Sequence, residues 1–147
     1  MIVYLDTSAF VKLMVEEDGS AEVHSWFGEG WPAVSSVVTY PETCSALGRR
    51  SHERGGHARL APWLEELEMR WRRVLAIRVD ATFAGRLAIT HRLRGMDAVQ
   101  LAAAMITRER LRAADAAEEL RFAVFDRELR AAAEREGFAT LGGPLAT

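Results

Sequence analysis

Four carboxylates, Asp6, Glu42, Asp97 and Asp126, each stand where an apolar run meets the start of a helical pattern. Acids delivered by separate segments to one crevice repel one another. A pair about 4 Å apart costs about 4 kcal/mol at an effective dielectric near 20. A fold keeps such a cluster when a divalent cation offsets the repulsion, and an all-oxygen ligand set favours Mg²⁺ or Mn²⁺ over zinc. The histidines, His24, His52, His57 and His91, show no zinc spacing and are expected mostly at the surface. Gly55-Gly56 and Gly142-Gly143 lack the strand-to-helix context of a phosphate-cradling loop.

Each acid also has a plain structural reading. Asp6-Thr7-Ser8 offers side-chain oxygens to the unpaired N–H groups of a first helical turn. Thr39-Tyr40-Pro41-Glu42 has the form of a capping box with proline in the first turn, so Glu42 is free to do no more than bond back to the backbone. Asp97 followed by Gln100 has the same form, and Asp126 is placed to cap the last helix. Asp80 also follows a strand and precedes a helix, so the pattern by itself is common. Singly, each acid is more often a cap than a ligand; only convergence makes a site.

The elements that must bring them together alternate. Ile2–Leu5 is a short, β-branched and aromatic run suited to a strand buried on both faces. Helical spacing follows in Phe10, Val11, Leu13 and Met14, then the turn EEDGS, with Ser20 expected to cap a short helix. Further strands are expected at AVSSVV, VLAIRV and RFAVF, with a short fifth at FATL. Helices are expected at TYPETCSALGRR, ending near Gly55, at HARLAPWLEELEMRWRR, with a possible break at Pro62, and at ATFAGRLAITHRLRG, capped by Asp80. MDAVQLAAAMI is apolar nearly all round and hence buried, and RELRAAAEREG is closed by Gly137. Strands alternating with helices imply a parallel sheet with helices on both faces, and such sheets bind ligands beyond the carboxyl ends of their strands.

The chain of 147 residues reads as a single domain, 1–147, and its 49% hydrophobic and 27% charged residues are ordinary for a globular protein. No apolar run of about 18 residues and no basic leader appear, and the lone Cys44, expected as a small buried residue, forms no internal disulfide. These features suit the cytoplasm. Charge is uneven. Residues 1–42 carry one cation and seven anions, residues 43–113 fourteen and seven, and residues 114–147 four and seven. A basic middle beside acidic ends fits a phosphate-binding face next to a metal site, although solvated helix faces explain any single arginine as well.

LDTSAFVKL, VSSVVTYPETCSAL, GMDAVQLAAAMI and FAVFDRELRAAAEREGF, in that order from residue 1 to about 141, resemble the signatures of PIN domains. The match is closest to the ribonuclease toxins of VapBC toxin–antitoxin pairs. The resemblance implies an α/β/α sandwich on a parallel sheet of four or five strands in the order 3-2-1-4-5, which leaves Asp80 at the sheet's edge as a cap. It implies an acidic catalytic site of Asp6, Glu42, Asp97 and Asp126, with Mg²⁺ or Mn²⁺ held mainly by Asp6 and Asp97. Such an ion would polarise a scissile phosphate and activate a water, giving 5′-phosphate and 3′-hydroxyl ends. Ser8 matches the small polar residue near the first Asp, and Arg49, Arg50, Arg92 and Arg94 are candidates for holding RNA phosphates. Val124 departs from the pattern, which usually has Thr or Ser two residues before the last Asp.

The implied partners are RNA, a small VapB-like antitoxin and a second copy of the chain. The apolar Phe10, Leu13, Met14, Trp26, Phe27 and Trp31 are candidates for surface in excess of one core's needs. Three other readings compete. A haloacid-dehalogenase-type phosphatase needs a second Asp where Ser8 stands. A catalytically weak PIN-like module would only bind partners, against which four intact acids argue. A related metal-dependent DNA nuclease shares the architecture, so the choice of RNA rests on the resemblance.

Overall fold

In the computed structural model, which describes residues 1–53, 55 and 57–143, the chain runs β1 (Ile2–Leu5), α1 (Thr7–Val11), α2 (Ser20–Gly28), β2 (Ala33–Ser36) and α3 (Thr39–Ser51). A 3-10 turn (His57–Arg59) leads into α4 (Leu60–Trp71), β3 (Val74–Ile77), α5 (Ala81–His91) and α6 (Gly95–Ala113). β4 (Leu120–Ala123), α7 (Arg127–Arg135) and β5 (Ala139–Leu141) follow. The strands form one parallel sheet in the order β3-β2-β1-β4-β5, as the resemblance implied.

β1 is central and shows why its sequence is continuously apolar. Val3 and Leu5 point into one core with Phe10, Leu13, Trp26 and Leu67. Tyr4 points into the other with Leu101, Phe122 and Leu129, and its ring meets Phe122 edge-on at 4.9 Å between centroids. Full burial of each such side chain stabilises the fold by about 1.5–3 kcal/mol. β1 therefore cannot shift register by one residue without exchanging both cores. α6, apolar almost all round, lies in the second core with Ala98, Leu101, Ala102, Ala103 and Ala104 fully buried, as expected.

Several local expectations fail for identifiable reasons. Ser20 does not cap α2: Gly19, at φ +88°, occupies the cap position, and Ser20 Oγ donates to the Val15 carbonyl and accepts from Glu17 N–H. A side chain at Gly19 would strike the Phe125 ring, since a Cβ there would lie 2.7 Å from Phe125 Cε1. The Thr39–Glu42 capping box does not form, because Thr39 is already helical and its hydroxyl is drawn inward to Ser35 and Gln100. Asp97 lies inside the first turn of α6, preceded by an Arg94 cap that makes no side-chain bond, and so is not a cap either. Pro62 does not break α4; it falls in the first turn, where its missing N–H has no intrahelical partner to lose. α3 ends at Ser51, ahead of Gly55; Arg54 and Gly56 of the expected RGG stop lie outside the described residues.

The apolar residues of the early helices are internal. Phe10, Leu13, Met14, Trp26 and Phe27 are all buried in the core formed with α3 and α4, and Trp31 packs against it. Phe10, Leu13, Met14, Trp26 and Phe27 therefore contribute to the chain's own core rather than to free surface. Cys44 is half-buried rather than buried. His91 also differs: its side chain is largely covered and lies 2.6 Å from Glu136. No helix among the described residues is long and apolar enough to cross a membrane.

Candidate active site

The sheet reverses direction of build between β1 and β4, and the loops leaving their carboxyl ends carry Asp6 and Asp126. Asp6 is only 3% exposed. Its Oδ1 accepts the Ala9 N–H at 2.9 Å, capping α1, and Ser8 Oγ lies 2.7 and 2.8 Å from its two oxygens. The capping reading is thus correct but incomplete. Burial, with the charges of Asp97 and Asp126, pushes the Asp6 carboxyl up to about 7 against the pull of Ser8 and Ala9. Asp126 is likewise a true cap, accepting Leu129 N–H at 2.8 Å, while remaining exposed to the crevice.

Asp97 comes from α6 and takes no side-chain hydrogen bond from a described residue. Burial, then the charges of Asp126 and Glu42, push its carboxyl up to about 6, opposed by Arg94. Glu42 comes from α3 and is held through one oxygen, Oε1, by Thr7 Oγ1 at 2.8 Å and Gln100 Nε2 at 3.0 Å. All four acids line one open crevice of about 510 Å³, together with Ser8, Lys12, Glu17, Arg49, Arg50, Gln100 and Phe125. Glu42, Asp97 and Asp126 also border an adjoining depression of about 720 Å³ that includes Arg94.

The acids share a crevice but do not stand as a closed cage. Among the described residues no group of three or more His, Cys, Asp or Glu side chains is spaced to hold an ion as it stands. The donor set nevertheless fits a hard divalent cation. It is made of oxygen, and two of its carboxyls are driven toward neutrality by burial and by neighbouring acids, a cost that a bound cation would remove.

The arginines divide. Arg49 lines the crevice and donates to Ser45, whereas Arg50 also lines it but is ion-paired with Glu17. Glu17 holds Lys12 as well, at 3.0 Å, and those two cations overcome the opposing effect of burial to keep its carboxyl below the ordinary value. Arg94 borders the adjoining depression, but Arg92, at φ +53° on the end of α5, lines neither. Val124 is fully buried in the core beneath α6 and α7 and lines neither space, so the departure there does not remove a hydroxyl from the crevice wall.

Lys12 and Gln100 were not singled out by the sequence as site residues, yet both are buried and both line the crevice. Their signal was polarity out of place: the only lysine of the chain inside an apolar helical run, and one amide inside the nearly all-apolar run MDAVQLAAAMI.

Fold and crevice define an α/β protein with a cation-seeking site at the reversal of its sheet. A model of the PIN domain matches residues 3–134. Ribonuclease VapC45 and Ribonuclease VapC49, both from Mycobacterium tuberculosis, are each 36% identical to this chain over 141 residues, covering 92% of it and 92% of their own length. Among solved structures, FitAcB from Neisseria gonorrhoeae superposes with a TM-score of 0.63 at 18% identity, over 96% of this chain and 97% of that one. VapBC2 from Rickettsia felis, bound to a DNA fragment from its promoter, gives 0.58 at 13% identity, over 97% and 98%. The chain belongs to the PIN-domain family. Nucleases of this family generally depend on a divalent metal ion.

Proposed function

We propose that the chain is the ribonuclease toxin of a toxin–antitoxin pair, a cytoplasmic endoribonuclease that uses Mg²⁺ or Mn²⁺ to leave 5′-phosphate and 3′-hydroxyl ends. The observation that carries this reading is the meeting of four carboxylates in one crevice, with Asp6 and Asp97 pushed up to about 7 and about 6. Ribonuclease is the name of both curated relatives, whose similarity extends over nearly the whole chain.

Asp6 and Asp97 are the principal ligands in this reading, and Glu42 and Asp126 complete the shell directly or through water. A divalent ion held by these residues would supply charge stabilisation on the scissile phosphate and an activated water. The chain's own residues do the positioning. Ser8 bridges Asp6 to the loop that bears Asp126, since its Oγ also accepts the Phe125 N–H at 3.0 Å. Arg49, on the crevice, and Arg94, on the adjoining depression, make no salt bridge with a carboxylate among the described residues and would hold flanking phosphates. Arg50 serves less readily, because Glu17 already occupies it.

The partner in this reading is a small VapB-like antitoxin. It presents an arginine to the acids and covers the apolar wall of the crevice at Val11, Ala46 and Phe125 with a helix. A homodimer belongs to the reading on the family's account alone.

The test is cleavage of RNA and of matched single-stranded DNA by the purified protein, with Mg²⁺, with Mn²⁺ and in EDTA, followed by identification of the ends. RNA cleavage that requires metal and leaves 5′-phosphates is the expected result. Full-rate cleavage in EDTA, or cutting of DNA alone, would refute the reading.

A further inference from the structure

Gln100 sits at the centre of a buried polar cluster that the acids alone do not explain. It is 2% exposed, in the apolar stretch of α6 that follows Asp97, yet each hydrogen-bonding capacity of its amide is used. Tyr4 Oη donates to Oε1 at 2.7 Å. The two N–H groups of Nε2 have three acceptors within reach, Thr39 Oγ1 at 2.9 Å, Glu42 Oε1 at 3.0 Å and Thr7 Oγ1 at 3.1 Å. Its orientation is fixed chemically: an ionised carboxylate only accepts, so the nitrogen must face Glu42. The cluster continues through Thr39 to Ser35, whose hydroxyl donates to the Leu5 carbonyl at 2.6 Å, one residue before Asp6.

Two features separate this from ordinary satisfaction of a core amide. First, Gln100 and Thr7 donate to the same oxygen of Glu42, and the structure places no donor from a described residue on the other. Second, the partners come from β1, α1 and α3, the elements that carry or adjoin Asp6 and Glu42, while Gln100 shares α6 with Asp97 one turn away. One amide therefore couples three of the four acids mechanically.

We propose that Gln100 is a positioning residue: with Thr7 it holds Glu42 by one oxygen and turns the other toward the divalent cation of the crevice. This rests on the metal-dependent reading above. Removing a partner that orients a metal-binding carboxylate typically weakens affinity or activity about 10–100-fold.

The experiment is calorimetric titration of Mn²⁺ into wild type, Gln100→Met, Glu42→Gln and the double variant, with melting temperature recorded for each. Gln100→Met is expected to weaken Mn²⁺ binding about 10-fold or more in the wild-type background and to add nothing in the Glu42→Gln background. Its loss of thermal stability is expected in both backgrounds. Should Gln100→Met fail to fold, Thr7→Val, on the crevice wall, removes the second donor and is expected to show the same dependence on Glu42 with a smaller loss. Wild-type affinity in a folded Gln100→Met, or an equal loss in both backgrounds, overturns the proposal and leaves the metal-dependent reading intact. Absence of Mn²⁺ binding by the wild type would overturn both.

Discussion

Asp6 and Asp80 occupy matching local positions and differ in almost everything that matters for chemistry. Each ends a segment leaving a parallel strand, caps the next helix, and is bonded by a hydroxyl two residues on: Ser8 for Asp6, Thr82 for Asp80. Ala9 N–H reaches Asp6 at 2.9 Å and Phe83 N–H reaches Asp80 at 3.2 Å. Yet burial and neighbouring acids push Asp6 up to about 7, whereas the Thr82 hydroxyl and the Phe83 N–H, in the open, hold Asp80 below its ordinary value. The difference lies in strand order. β1 is central and β4 lies next to it, so Asp6 is enclosed and meets Asp126, while β3 is the sheet's edge and Asp80 meets water. Local geometry makes a cap; position in the sheet decides whether that cap is buried beside other acids.

The largest effect expected from that contrast is on activity. Asp6→Asn and Asp97→Asn should lower RNA cleavage by more than about 100-fold, measured as initial rates in saturating Mn²⁺, since losing a ligand costs more than losing its supporting partner. Asp80→Asn should stay within about twofold of wild type, because Asn also caps. An Asp80 as essential as Asp6 would mean that the edge of the sheet carries the chemistry.

The next effect is on stability without metal. The Asp6 carboxyl moves from an ordinary 3.8 to about 7 on folding, so the folded state binds the proton more tightly than the unfolded chain. Stability is then fully present below about pH 4 for this group and is lost as pH rises through about 7, by an amount on the order of 4 kcal/mol. In EDTA at pH 8, Asp6→Asn should therefore melt about 8–16 °C higher than wild type, and the difference should vanish near pH 4. Asp80 has the opposite sign. Its depressed carboxyl adds stability above the ordinary range that is lost as pH falls, so Asp80→Asn should melt no higher than wild type at pH 8. Scanning calorimetry across pH separates the two. Saturating Mn²⁺ should raise the wild-type melting temperature at pH 8 and remove most of the advantage of Asp6→Asn.

The smallest effect concerns the paired hydroxyls. Ser8 links Asp6 to the Phe125 amide beside Asp126, whereas Thr82 bonds only Asp80 among the described residues. Ser8→Ala should reduce cleavage about 10-fold and Thr82→Ala should leave it unchanged, as read from kcat on the same RNA.

The sequence made the alternation of strands and helices legible, because apolar period changes from strand to helix at Asp6, Asp80 and Asp126. It did not by itself give strand order, since nothing local to Asp6 or Asp80 says which strand is central; the PIN-domain resemblance supplied that. Glu42 and Asp97 were open to a capping explanation that the structure removes, because capping depends on where a helix begins, and both α3 and α6 begin earlier than the boxes require. The engagement of Arg50 by Glu17 and the reach of Gln100 to Tyr4, Thr39 and Glu42 join residues 33, 96, 61 and 58 positions apart. Such pairs are set by tertiary packing and leave no periodic trace. The same holds for Phe10, Leu13 and Trp26: hydrophobicity marked them for burial, but only α3 and α4 showed that the chain itself covers them.

A single assay tests most directly whether strand order makes the capping Asp6, unlike the capping Asp80, a residue of metal-dependent cleavage. Metal-stripped wild type, Asp6→Asn and Asp80→Asn are given increasing Mn²⁺, and the rate of RNA cleavage is followed. Wild type and Asp80→Asn should gain activity along the same saturable curve while Asp6→Asn stays at background. Metal-independent cleavage by the wild type, or equal loss in the two variants, would contradict the account.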